Sequence, residues 1–233
     1  MFQNLKNLSI LFLLIIVLGS CKKQVDQTNR KILVFGNSMT IHPPSPELGW
    51  YGNWGMTASS REKDYIHVLE SRLGIPVIPV SIADWEANHA TFNLSSLDIY
   101  LKENPFIVVI RLGENVHGLT GLNTSLDKLV NYIQGKLPNV KILITGTFWN
   151  NAAVSDVFSL VARQHGIPFV KLSQLDLNEN VSFIGATVLS VDGVPYQITN
   201  PGVAGHPNDA GMQKMADAIY VGIIAMMQQI TSR

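Results

Sequence analysis

Ser38, Asn115 and His206 are the residues of this 233-residue sequence whose types together suit acyl transfer. A serine hydroxyl is a weak nucleophile until a base takes its proton, and a neutral imidazole suits that task near physiological pH. The tetrahedral intermediate of such a reaction carries a negative oxygen, which side-chain amides and backbone N–H groups can hold. Each residue also has a plainer reading. A serine after a strand caps a turn, an asparagine forms one, and a histidine before Pro207 starts a helix.

What separates the two readings is position, so the elements come next. Lys31 to Phe35 is a short apolar run ending at Gly36, the pattern of a buried strand. A loop rich in Pro, Gly and Trp follows, from Pro43 to Met56. Ser59 or Ser60 is then expected to cap a helix running to about Leu73. Its apolar residues Tyr65, Ile66, Leu69 and Leu73 share one face, and Gly74 stops it. Further strands are expected at 76–82, 106–110, 141–145 and 168–172, and helices near 94–102, 125–137, 152–165 and 209–229. Asp192-Gly193 suggests a hairpin. Strands alternating with helices of this size predict an α/β fold, a three-layer α/β/α sandwich around a mostly parallel sheet of about five strands. In such sheets the site lies at the carboxyl ends of the strands. Ser38 stands just past the first strand, Asn115 just past the strand at 106–110, and His206 just before the last helix.

The local sequences carry a resemblance. Gly36-Asn37-Ser38-Met39 resembles block I of the SGNH/GDSL hydrolases, usually Gly-Asp-Ser-Leu. Gly113-Glu114-Asn115 resembles their block III, Gly-x-Asn-Asp, and His206-Pro207-Asn208-Asp209-Ala210-Gly211 resembles the end of block V. The blocks occur in the family's order over residues 31 to about 230, and three together are far more specific than any one. The resemblance implies a flavodoxin-like SGNH hydrolase fold, with Ser38 as nucleophile, His206 as base and Asn115 in the oxyanion hole of a cofactor-free esterase. It also has departures. Asn37 replaces the block I Asp, and Val116 replaces the last Asp of block III. Block II, at Ala83 to Asn88, has no Gly, which leaves the backbone N–H of Trp85 or Glu86 as candidate oxyanion donors. Val203 stands where the triad Asp is expected. A backbone carbonyl near Val203 or Ala204 is then expected to orient His206, with a carboxylate from Glu86 or Asp192 as the alternative. If position 203 faces His206, Val203→Asp should raise activity. Thr40 in place of the second glycine of Gly-x-Ser-x-Gly argues against an ordinary α/β-hydrolase.

Around these residues, His42, Trp50 and Trp54 are candidates to line a substrate site. Aromatic platforms, Tyr51 among them, can stack on sugar rings, but indoles packed over the sheet edge as core are the preferred reading. The remaining histidines are scattered without metal-ligand spacing, so no metal is expected. Formal charge is zero and no basic run could track phosphates, which excludes nucleic acid as an expected partner.

The first twenty residues read as a secretory signal: Lys6, an apolar run from Ile10 to Leu18 too short to span a bilayer, then Gly19 and Ser20. Leu18-Gly19-Ser20-Cys21 resembles the bacterial lipobox, which implies cleavage before Cys21 and lipid on its sulfur. Cys21 is the single cysteine, so no disulfide forms within the chain. The expected organisation is a signal at 1–20, a tether at 21–30 and a hydrolase domain at 31–233, lipid-anchored in a bacterial cell envelope, in the periplasm or on the outer surface. The expected activity is hydrolysis of a small-molecule or glycan ester, with acyl removal from carbohydrate as the first choice. The rival reading is a decayed SGNH-like surface lipoprotein that binds glycans.

Overall fold

The computed structural model describes residues 30–231; the signal-like segment, Cys21 and residues 22–29 of the tether lie outside the described residues. Five parallel strands build the central sheet: β1 (Ile32–Gly36), β2 (Val77–Ser81), β3 (Ile107–Ile110), β4 (Lys141–Thr145) and β5 (Phe169–Val170). Their spatial order is β2-β1-β3-β4-β5. Successive strand side chains point to opposite faces, and both faces are covered, which is why the strands read as unbroken apolar runs. Ile32, Val34, Ile107, Val109 and Leu143 join one apolar cluster with α1 (Tyr65–Leu73) and α7 (Asp209–Thr231). Leu33, Phe35, Val108, Ile110, Ile142 and Ile144 join the other, with α4 (Leu122–Lys136) and α5 (Ala152–Gln164). The three-layer α/β/α fold follows from that alternation.

The strand order reverses at β1, which pairs with β2 on one side and β3 on the other. The connections leave in opposite directions there and open a crevice above the carboxyl ends, the usual ligand position in such sheets. Ser38 follows β1 and Arg111 to Asn115 follow β3, so both sit at that switch point.

Local expectations were refined. The cap of α1 is Asp64, whose carboxylate accepts from His67 N at 2.8 Å, rather than Ser59 or Ser60. Ser59 is used elsewhere, because its N–H and hydroxyl both donate to Asp209, each at 2.7 Å. The helix expected near 94–102 is a 3₁₀ turn, Leu94–Leu97, followed by the single turn α3 (Asp98–Leu101). Block II forms a short helix, α2 (Ala83–Asn88), for which no element was expected. The suggested hairpin is real: β6 (Thr187–Leu189) pairs antiparallel with β7 (Pro195–Gln197), and Gly193 takes φ 76° in the turn between them. A last short helix, α6 (Pro201–Ala204), leads to His206.

Gly211 explains one motif position physically. A Cβ there would overlap the Asn180 carbonyl oxygen and press on Pro207. Asn180 O also accepts from Asn208 N at 3.0 Å, so this close approach fixes the start of α7 beside His206. Gly211→Ala is expected to lower stability by about 1–3 kcal/mol, read as a fall in the denaturation midpoint; an unchanged midpoint would show that the approach is slack.

Candidate active site

The turn after β1 starts at Asn37, whose carbonyl accepts from Thr40 N (2.8 Å) and Ile41 N (3.1 Å). That turn lifts Ser38 out of the sheet, half-buried, while Met39 and Thr40 return to the core. Ser38 Oγ lies 2.8 Å from His206 Nε2. The other ring nitrogen, Nδ1, lies 3.0 Å from the Val203 carbonyl oxygen. A carbonyl can only accept, so Nδ1 carries the hydrogen, and Nε2 of the neutral ring has its lone pair toward the serine hydroxyl. This is the tautomer a general base needs. The acceptor is a backbone carbonyl, and neither Glu86 nor Asp192 supplies the group on Nδ1.

Val203 itself is 2% exposed and belongs to the apolar cluster with Val188 and Ile198. A carboxylate placed at 203 would enter that apolar environment and cost stability.

His206 is 6% exposed. Trp149 stands edge-on to its ring, with centroids 5.2 Å apart, and donates its indole N–H to Gly205 O at 2.9 Å. Burial is the main force on the imidazole, and it lowers the pKa to about 4; the Val203 hydrogen bond works against this, and the charges of Arg111 and His42 add to the lowering. The histidine loop is tied to the segment after Ser38. Thr57 Oγ1 donates to Pro207 O at 2.8 Å from a strained backbone with φ 68°, and Ser59 holds Asp209 as described.

Beneath the rim lies a buried charge cluster. Arg111 and Glu86 are fully buried, and Arg111 Nη2 pairs with Glu114 Oε1 at 2.7 Å. Glu114 also accepts from Phe148 N at 2.8 Å. Asn37 sits between the carboxylates. Its Nδ2 donates to Glu86 Oε1 (3.0 Å) and Glu114 Oε2 (2.8 Å), and its Oδ1 accepts from Arg111 Nη1 (2.7 Å) and Met39 N (3.2 Å). An Asp at 37 would turn a third acceptor onto two carboxylates, which accounts for Asn where block I has Asp. Asn115 Nδ2 donates to Glu86 Oε2 at 2.5 Å, and Gly113 N donates to Glu86 Oε1. Burial, and next the charge of Glu114, raise the Glu86 pKa above the ordinary glutamate value.

The remaining candidates divide. Trp85 is fully buried against Phe158, and its N–H already donates to the Ile82 carbonyl at 2.8 Å, so it is not a free oxyanion donor. Glu86 comes to the site through its carboxylate. Trp50 and Trp54, 0% and 6% exposed, pack edge to face at 5.9 Å and donate to His42 O and Ala58 O; they are core, not substrate platforms. Tyr51 is the exposed aromatic of that loop, stacked edge-on with Tyr196 at 4.9 Å. His42 is part-exposed, with Nδ1 against Pro43 O. Arg111, Glu114 and Trp149 escaped the sequence reading. Glu114 lies within the block III match and Arg111 four residues before Asn115, but no spacing announces that they pair. Among the described residues no group of three or more His, Cys, Asp or Glu is placed to hold a metal ion.

Solved structures with this architecture settle the class of the fold. A family 3 carbohydrate esterase from Clostridium thermocellum matches with a TM-score of 0.56 at 21% identity, over 86% of this chain and 98% of its own. The esterase EstA from Pseudoalteromonas sp. matches with a TM-score of 0.55 at 18% identity, over 85% and 99%. The chain has the SGNH hydrolase fold. A family two carbohydrate esterase from Clostridium thermocellum, solved with cellohexaose, matches with a TM-score of 0.52 at 16% identity, over 85% and 65%. No family model and no curated protein matches the sequence.

The geometry of His206 has a measurable consequence. Its pKa falls from 6.5 unfolded to about 4 folded, so between these values the unfolded chain binds a proton that the folded one refuses. The His206 contribution to stability is therefore lost as pH drops through that window. An NMR titration of ring-labelled protein, with His206 identified by its loss in His206→Ala, should show a neutral Nδ1–H imidazole to about pH 4. A midpoint near the ordinary 6.5 would mean that the ring is solvated.

Proposed function

We propose that the protein is a serine esterase working through an acyl-enzyme. The observation that carries this reading is the Ser38 Oγ to His206 Nε2 contact of 2.8 Å, with Nδ1 on the Val203 carbonyl. Ser38 Oγ attacks the ester carbonyl as His206 Nε2 takes its proton. The carbonyl oxygen becomes an oxyanion held by Asn115 Nδ2 and the Ser38 N–H. Collapse breaks the bond to the alcohol, which leaves with the proton from His206. Water then gives a proton to His206, attacks the acyl carbon and releases the acid and Ser38.

A buried, carbonyl-oriented base has a cost. The Val203 carbonyl fixes the tautomer but stabilises the imidazolium less than a carboxylate would. The base stays available at mildly acidic pH, yet its low pKa weakens it as a proton acceptor.

Acetylated or otherwise acylated carbohydrate is the substrate class we favour. Carbohydrate esterases are among the structures the chain resembles, and an open 440 Å³ cleft lined by Tyr51, Tyr196, Val191 and Val194 offers an exposed aromatic surface for a sugar ring. We also propose that the chain is a lipoprotein anchored in a bacterial envelope through Cys21, on the strength of Leu18-Gly19-Ser20-Cys21.

Hydrolysis of p-nitrophenyl acetate and of acetylated oligosaccharides tests the activity. Ser38→Ala and His206→Ala should each lower kcat by roughly 10⁴-fold or more, with the fold retained by circular dichroism. Activity within a few-fold of wild type in Ser38→Ala would remove it as nucleophile, and glycan binding without hydrolysis by wild type would favour the decayed enzyme.

Mass spectrometry of protein from bacterial membranes tests the anchor. Cys21 should carry more than one acyl chain, since a single chain anchors only marginally, and Cys21→Ser should leave the membrane fraction. Mature protein with an unmodified Cys21 would end the proposal.

A further inference from the structure

Two carboxylates are buried below the rim with one guanidinium, and only one of them forms the ion pair. Glu114 takes Arg111; Glu86, 0% exposed, takes three amide donors: Asn37 Nδ2, Gly113 N and Asn115 Nδ2. Burying a carboxylate without its own cation is costly even when hydrogen-bonded. No cation touches Glu86 among the contacts of the described residues, so its place is explained by what it holds.

What it holds is the Asn115 amide and the turn that carries it. Glu86 Oε1 takes Gly113 N, at a backbone with φ 125° where a Cβ would meet Thr147 and Val154. Glu86 Oε2 takes Asn115 Nδ2, two residues on. The carboxylate thus grips the turn at both ends. A carboxylate only accepts, so it forces the nitrogen of the Asn115 amide, not the oxygen, to this side. The amide is planar and has two hydrogens on that nitrogen. With one spent on Glu86, the direction of the other is set.

We propose that Glu86 is a positioning residue that aims the second N–H of Asn115 at the reacting carbonyl oxygen. The inference rests on the esterase reading and assigns to it a group that never touches substrate. The charged neighbour of Glu86 is Glu114, which opposes the Glu86 charge, while the three donors favour it.

A double-mutant cycle with p-nitrophenyl acetate as probe separates positioning from bulk structure, because coupling appears only if one residue acts through the other. Glu86→Gln should lower kcat by about 10- to 100-fold, up to the lower end of what loss of one oxyanion donor costs, with KM changed less than about 3-fold. In an Asn115→Ala background the same substitution should change kcat by less than about 2-fold. Should Glu86→Gln fail to fold, Glu86→Asp, which keeps the charge but shortens the reach, completes the cycle with a smaller loss and the same coupling. Equal losses in both backgrounds would overturn the assignment. A wild-type enzyme without Ser38-dependent hydrolysis would instead overturn the esterase reading beneath it.

Discussion

One hydrogen bond, from Ser38 to His206, joins residues 168 positions apart, and the rim of the fold is organised around making it. The strand order places Ser38 over the switch point between β2 and β3. Nothing in the sheet places His206; the chain reaches it after the hairpin and α6, outside the strands. It is held instead by clamps: Thr57 on Pro207, Ser59 on Asp209, Trp149 on Gly205, and the Gly211 approach to Asn180. These clamps hide the imidazole from water, and that burial lowers its pKa more than any other influence. The geometry that brings His206 to Ser38 and the lowered basicity of its ring therefore have the same origin.

A second constraint is charge. Arg111 is fully buried, and a guanidinium stays protonated in any protein environment. Glu114 neutralises it in a close pair. Glu86 is left with amide donors, and Asn37 supplies one to each carboxylate. The Asn37 substitution that looks like decay in the motif is then a requirement of the cluster beneath it. Val203 has a similar explanation: its side chain fills core, while its carbonyl does the orienting.

Much of this was legible in the sequence. Buried parallel strands announce themselves as short apolar runs, and the residues just past them were the right places to look. Ser38 and His206 come together as that reasoning requires, and Asn115 lies on the same rim, tied to Glu86. The misreadings share a cause, which is that burial is a tertiary property. Trp50 and Trp54 sit in a Gly-rich loop whose sequence suits both a stacking surface and packed core; the loop folds inward and leaves Tyr51 outside. Ser59 has the right type for a helix cap, but its partner lies 150 residues away. Glu86 was noticed for its backbone N–H and as an alternative carboxylate for His206; no local signal shows that its side chain crosses to the turn after β3.

A crystal structure of the protein after reaction with a small fluorophosphonate tests the arrangement most directly. The expected result is a covalent bond from Ser38 Oγ to phosphorus, a phosphoryl oxygen within hydrogen-bond distance of Asn115 Nδ2, and His206 Nδ1 still on the Val203 carbonyl. An unmodified Ser38, or a phosphoryl oxygen turned away from Asn115, would contradict it.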